Sequence, residues 1–403
     1  MFSLKLFLKL LLLTTNILLV FSDKSVSRRR PKTILILADG IRYDYLNDAN
    51  LTGFGRMAQN GVRAKYVQPI FPANSYPNWY TIVTGLYGES HGMVQNYMYD
   101  PKEKDLFLMS PHPNASHPHW WNGAEPVWIN AEKHGLKTGV YWWDGCQVKI
   151  RGKEPTHCLG YQSYWTWANP NEDTTNALFE ILDNFEADDW HFGLVYYEAI
   201  DAMGHAFGSE SKERVEAVQE FDKILTTLQD EIEKRNLQNE VNIVVVSDHG
   251  MIEIDENKNT RMINIETIVN VDDVEVMLDR GTTAFIIPKA NKEAKVSFTH
   301  GHHGYDPYDV KEMRTIMYAR GPGFKKNYTS GPLMMTDHYN YLCYILGIDP
   351  KPNNGTWNNV KDFTSDSGAK VAHLISFSNN SSLRLEIPIA LILFSIVILG
   401  LKR

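Results

Sequence analysis

Cysteine is scarce: three residues in 403, at positions 146, 158 and 343, leave room for a single bridge. No stripe of Lys and Arg with interleaved aromatics is present and the net charge is only −8, which disfavours nucleic acid as a bound partner. No low-complexity stretch or internal repeat divides the middle of the chain, so one large domain is expected, with 43% hydrophobic residues to fill its core. The long apolar runs are terminal. Residues 10–21 follow Lys5 and Lys9 and end near Ser22, ahead of Arg28, Arg29 and Arg30. This is the pattern of a cleaved signal peptide over residues 1–22.

In the compartment that such a leader implies, disulfides persist, and Cys146 and Cys158 lie close enough in sequence to be expected to pair. Cys343 then reads as a buried apolar thiol on a helix. Sequons at Asn50, Asn114, Asn327, Asn354, Asn379 and Asn380 fit a secreted or lumenal body. At the other end, residues 387–401 are apolar and precede Lys402 and Arg403. Fifteen helical residues reach roughly 22 Å against a hydrocarbon core of roughly 30 Å, so a minimal membrane span and a lipid-anchor signal both stay open. The expected organisation is a catalytic body over residues 31–360, a stalk over 361–386 and the anchor over 387–401, with the body held at the cell surface.

Inside the body, three short acidic and histidine clusters each follow an apolar β-type run. Residues 33–38 lead into Asp39-Gly40, residues 191–197 into Asp201 and His205, and residues 241–246 into Ser247-Asp248-His249-Gly250. Together with His303 they read as a two-metal site. Carboxylates and imidazoles suit zinc, and two ions roughly 4 Å apart clamp a phosphoryl group in transit.

Strand-like runs at 33–38, 137–142, 191–197, 241–246, 283–287 and 315–319 alternate with amphipathic stretches such as 174–185 and 213–234. Continuous apolar strands joined by helices predict an α/β fold with a mainly parallel central sheet and helices on both faces. Sites in such sheets gather at the carboxyl ends of the strands. Residues 100–123, rich in Pro, His and Asn, read as a surface loop.

A nucleophile is offered by Ser75, read as the N-cap of a helix with Pro77 in its first turn. The positive helix end there favours both an alkoxide and a phosphate oxygen, and a zinc ion would lower the hydroxyl pKa further.

These segments resemble the ectonucleotide pyrophosphatase/phosphodiesterase family of the alkaline-phosphatase superfamily. The resemblance runs from Lys32 to Trp357 and includes Asp39-Gly40, Ser75-Tyr76-Pro77-Asn78, residues 84–92, Asn96, Asp201 with His205, Ser247 to Met251, and His303-Gly304-Tyr305-Asp306. It implies two zinc ions, one held by Asp201, His205 and His303, the other by Asp39, Asp248 and His249, with Ser75 as bridging nucleophile and covalent intermediate. It also implies that Asn96 donates to a phosphate oxygen, as an oxyanion-hole group does. The expected activity is hydrolysis of phosphodiester or pyrophosphate bonds in a small-molecule or nucleotide substrate.

Within the family, Trp120-Trp121, the cysteine pair, and Glu180 and Tyr196 are similar to features of the choline-specific glycerophosphodiesterase (lysophospholipase C) member. Tyr161, Trp165 and Trp167 would supplement its aromatic cage. Two departures from related patterns matter. Only fourteen residues separate Pro288 from His303, several times fewer than the resemblance leads one to expect, which implies a more open pocket. Trp79 stands where a sulfatase would carry arginine, which argues against that relative. A membrane-anchored binding protein on an inactive scaffold is the alternative from another class, and it should have lost ligands. His91 reads as structural, and His300 and His302 as solvated loop residues.

Overall fold

The computed structural model describes residues 32–47, 51–254, 273–278, 282–283, 285–292 and 301–365. All of them fall in the compact unit Pro31–Arg403. The expected signal peptide, residues 366–386 of the stalk, the segment 387–401, the sequons at Asn50, Asn379 and Asn380, His300, and residues 293–299 before His303 lie outside the described residues.

Among the described residues, eight strands form the central sheet: β1 (Lys32–Ala38), β2 (Gly61–Ala64), β3 (Thr138–Tyr141), β4 (His157–Leu159), β5 (Phe192–Tyr197), β6 (Val241–Val246), β7 (Met317–Arg320) and β8 (Tyr328–Ser330). Their spatial order is β8-β2-β7-β6-β1-β5-β3-β4. Only β7 runs antiparallel to its neighbours. Every residue of β1, β5 and β6 is buried, as strands covered on both faces must be, and this explains why they read as continuous apolar runs without alternation.

Two groups of helices cover the sheet. One contains α1 (Thr52–Asn60), α3 (Pro170–Glu186), α4 (Ala199–Phe207) and α5 (Lys212–Lys234). The other contains α2 (Ser75–Thr84), the helix Val127–Lys133 and α6 (Asp337–Leu346). α1 starts at Leu51, whose side chain offers no acceptor. Asp222 on α5 caps it from a distance, accepting from Gly53 N at 3.0 Å and Phe54 N at 2.8 Å.

The register of the central strands positions the site. Leu37 of β1 pairs with Tyr196 of β5 on one side and Val246 of β6 on the other, so the three carboxyl ends are level. Asp39, Glu198 and Ser247-Asp248 therefore emerge side by side.

Cys146 and Cys158 are bridged, with their Cα atoms 5.7 Å apart. Cys343 is free and buried on α6, where burial pushes its thiol up to about 12. Two local expectations are corrected. Residues 285–292 form a strand, but it pairs with Asp273–Leu278 outside the central sheet. Residues 100–123 are not plain loop: Met98–Asp100 and Asp105–Phe107 make a hairpin, followed by a turn over Pro113–Ser116 and a short helix over Pro118–Trp121. Trp121, in the stretch likened to the choline-specific member, belongs to the core, with its indole N–H donating to Ala115 O at 2.7 Å and its ring edge-on to Tyr80.

Candidate active site

The loops after β1, β5 and β6 deliver the acidic and histidine side chains to one place. Asp201 and His205 sit four residues apart on α4, hence on one helix face, with Asp201 Oδ2 3.4 Å from His205 Nε2. His303 joins them: its Nε2 lies 3.1 Å from His205 Nε2 and 3.9 Å from Asp201 Oδ1. Beside this trio, His249 Nε2 lies 3.4 Å from both Asp39 Oδ1 and Asp248 Oδ2. The two histidine rings stack at 3.6 Å, so the groups share a border.

Ring tautomers are set from behind. His249 Nδ1 donates to Gly250 O at 2.9 Å and His303 Nδ1 donates to Ala73 O at 3.0 Å, which leaves each Nε2 lone pair facing the carboxylates. The carboxylates are oriented in the same way. Tyr196 O–H donates to Asp39 Oδ2 at 2.7 Å and Trp79 Nε1 to Asp248 Oδ2 at 2.7 Å, while Gly40 N and His249 N reach Asp248 Oδ1. Gly40 has φ of +72°, and a Cβ there would come within 2.9 Å of the Asp201 Cα, so only glycine lets the turn pass.

Burial, then the neighbouring carboxylates of Asp248 and Asp201, hold the Asp39 carboxyl well above its ordinary range. Burial likewise raises Asp201 to about 7, with Asp248 adding to it and His249 opposing. Three carboxylates crowded together with only imidazoles beside them, among the described residues of the cleft, call for positive charge.

Ser75 opens α2 at its first helical position. Asn74 takes the N-cap place that the sequence pattern assigned to Ser75, a shift of one residue. Ser75 Oγ lies 3.2 Å from His249 Nε2. The next residue, Tyr76, is locked on two sides: its N–H donates to Asn96 Oδ1 at 3.0 Å and its phenol to the buried Asp144 Oδ2 at 2.6 Å. With Oδ1 so engaged, Asn96 has its amide N–H groups to offer the cavity.

Two chemistries fit a serine beside a histidine. In a metal-free dyad His249 would act as base, yet Asp39 Oδ1 and Asp201 Oδ1 would remain buried with no hydrogen-bond partner. A divalent cation in each donor group satisfies both oxygens at once. Asp39, Asp248 and His249 form one close donor set, and Asp201 and His303, with His249 at the border, form another. The residues present therefore fit a metal pair.

The site opens into a cleft of about 200 Å³ lined by Asp39, Ser75, Asn96, Asp201, His205 and His303 on its floor, with Tyr161, Trp165, Tyr196 and Glu198 among its walls. Ser75, Asn96, Tyr196 and the six acidic and histidine candidates thus come together. Glu180 does not: it is exposed on α3, beside the Tyr141 phenol, and is absent from the cleft lining. The carboxylate that is present is Glu198, which accepts from Tyr161 O–H at 2.9 Å and Tyr164 N at 2.7 Å and which burial raises to about 7. Sequence reasoning missed Glu198, Trp79 and Asp144. Glu198 stands three residues before Asp201, a spacing that carried a usable signal, whereas the roles of Trp79 and Asp144 arise from tertiary packing. His91, read as structural, is buried with Nε2 3.0 Å from Thr81 Oγ1 and Nδ1 accepting from Met93 N.

Residues 33–342 match the type I phosphodiesterase / nucleotide pyrophosphatase family. A bis(5'-adenosyl)-triphosphatase of Xenopus laevis is 31% identical over 380 residues, covering 82% of this chain and 81% of that protein. The human ectonucleotide pyrophosphatase/phosphodiesterase family member 5 is 30% identical over 397 residues, covering 86% of this chain and 81% of its own. The solved structure of murine ectonucleotide pyrophosphatase/phosphodiesterase 5, as an inactive threonine-to-alanine variant in complex with AMP, superimposes with a TM-score of 0.75 at 28% identity, covering 83% of this chain and 100% of that one.

Proposed function

The chain belongs to the type I phosphodiesterase / nucleotide pyrophosphatase family of phosphoric diester hydrolases, and from that premise we propose a zinc-dependent cell-surface enzyme that cleaves nucleotide phosphodiester or pyrophosphate bonds through Ser75. The observation that carries the metal reading is the pair of buried oxygens without a hydrogen bond, Asp39 Oδ1 and Asp201 Oδ1, in the cleft that Ser75 also lines. Asp201, His205 and His303 would hold one ion and Asp39, Asp248 and His249 the other. When bound, the zinc pair supplies positive charge that stabilises the phosphoryl oxygens and favours the ionised serine.

This chain's own groups do the rest. Ser75 Oγ bonds to phosphorus as the bond to the leaving oxygen breaks, and the departing alcohol or nucleotide product takes up a proton. Water then cleaves the ester on Ser75 and restores the hydroxyl. The positive end of α2 lies beside the phosphate, and Asn96 donates to one of its oxygens. Trp79 and Tyr196 keep Asp248 and Asp39 aimed throughout.

On the cleft wall, Tyr161 and Trp165 present ring surface to a leaving group or base. Support for a nucleotide comes from the AMP complex of the murine relative and from the name of the frog relative. One observation favours a choline phosphodiester instead: Tyr161, Trp165 and Tyr196 line the same cleft as a carboxylate, Glu198. Against it, both Glu198 oxygens are engaged by Tyr161 and Tyr164. The discriminating experiment is the ratio of kcat/KM for a nucleotide phosphodiester to that for glycerophosphocholine, and a ratio below one overturns the nucleotide choice. The inactive binding-protein reading conflicts with a full donor set around an intact serine. Anchorage through residues 387–401 remains part of the proposal; among the described residues no helix is long and apolar enough to cross a membrane.

A further inference from the structure

Outside the cleft, Asp105, His117 and His119 bring three metal-binding atoms within 4.8 Å of one another. None of the three lines the active-site cavity. Asp105 Oδ2 lies 2.5 Å from His117 Nδ1 and 3.5 Å from His119 Nε2, so two imidazoles converge on one carboxylate oxygen. An Nδ1–H of His117 donating to the carboxylate explains the first contact. The second lies at the limit of hydrogen-bond range, and a simple ion pair gives no reason for it.

Each donor is held in place from behind. Asp105 Oδ1 accepts from Leu106 N at 2.9 Å and from Asn114 Nδ2 at 3.3 Å, which leaves Oδ2 turned toward the rings. Asn114 also donates to Leu106 O at 3.2 Å, tying the segment to the hairpin strand. His117 precedes Pro118, which restricts its backbone to the extended region it occupies, with φ −68° and ψ 123°. The His119 ring packs on Trp120, a residue only 8% exposed. The carboxylate is mostly covered while both rings reach solvent, so an ion has a route in.

We propose that these three residues form a second, peripheral binding site for a divalent transition ion of the zinc type. Tetrahedral zinc with nitrogen and oxygen ligands at about 2.0–2.2 Å spaces its donors roughly 3.3 Å apart. The His119 to Asp105 distance matches that already. The His117 to Asp105 distance has to open by about 0.8 Å, which a small rotation of an exposed ring provides. Water would complete the coordination. Two imidazoles and one carboxylate suit zinc rather than calcium or magnesium, which require mostly oxygen ligands. Such an ion would clamp the hairpin Met98–Asp100 and Asp105–Phe107 to the short helix Pro118–Trp121.

The test uses the full-length protein, purified without an affinity tag and dialysed to equilibrium against Zn2+, beside the double variant His117→Gln/His119→Gln. Both rings are exposed, so the fold should tolerate the change, and nucleotide hydrolysis reports on the active site separately. The expected result is about one zinc ion fewer per chain in the variant, by elemental mass spectrometry, with an unchanged hydrolysis rate. Equal zinc content would reduce the cluster to a hydrogen-bonded group and overturn the proposal. A hydrolysis rate that falls in step with the lost zinc would place the missing ion in the catalytic cleft and overturn it equally.

Discussion

Replacing Tyr196 by Phe isolates one hydrogen bond at the base of the site. The Tyr196 phenol donates to Asp39 Oδ2 at 2.7 Å with both residues buried, and the other Asp39 oxygen accepts no hydrogen bond among the described residues. Phenylalanine keeps the ring, and with it the edge contact to Trp79 at 4.6 Å and the neighbouring Tyr161 at 6.0 Å, so packing is conserved. What is lost is a hydrogen bond to a charged acceptor, worth about 1.5–3 kcal/mol. That bond opposes the upward shift of the Asp39 carboxyl; without it the group moves further from the ionised form that a metal requires. Loss of a group that orients a metal ligand weakens metal affinity by about 10–100-fold, which is about 1.4–2.7 kcal/mol and agrees with the hydrogen-bond figure. The assay is the zinc dependence of nucleotide hydrolysis in metal-buffered solution. The zinc concentration for half-maximal activity should rise by about 10–100-fold while the rate at saturating zinc stays near that of the parent protein. An unchanged zinc dependence would refute the argument, as would a lost rate that excess zinc does not restore.

Glu180→Gln should leave kcat/KM within about twofold for nucleotide and choline substrates alike, because an exposed helix charge outside the cleft touches neither; a selective loss of choline ester turnover would contradict this. Asp222→Ala should lower unfolding free energy by about 1–3 kcal/mol, since it strands two N–H groups at the start of α1, and urea titration of the purified protein measures it. His338 is buried on α6 with its Nε2 unpaired, and burial lowers it to about 3. A histidine depressed in the folded state contributes stability that is complete above the unfolded value near 6.5 and is lost as pH falls toward about 3. Between pH 6.5 and 5 the stability difference between the parent and His338→Gln should therefore shift by about 1.6 kcal/mol in favour of the variant. Parallel stability curves over that range would show that the imidazole titrates freely.

Much of this arrangement is visible in the residues alone. The fully buried, mostly apolar β1, β5 and β6 and the amphipathic α3 and α5 declare themselves by pattern, and the polar residues that follow the strands mark the ends where the donors meet. The short strands β2, β4 and β8 do not, because three- or four-residue segments such as Gly61-Val62-Arg63-Ala64 carry too little periodicity to register. The hairpin before Phe107 is hidden for a similar reason: its turn residues dominate the composition. Glu180 attracted attention as a carboxylate in the expected stretch, yet only the fold shows that α3 turns it to solvent while Glu198, at the head of α4, faces the cleft. Trp79 looks like an ordinary core residue of α2, and its indole N–H acquires a role only because packing aims it at Asp248.

Acid quenching of the protein during turnover of a nucleotide phosphodiester, followed by peptide mass spectrometry, tests the central claim directly. The account predicts a nucleotidyl ester on the peptide that contains Ser75, absent from Ser75→Ala, which should bind metal and remain folded but turn over no substrate. Turnover by Ser75→Ala at the parent rate, with no adduct trapped in either protein, would contradict it.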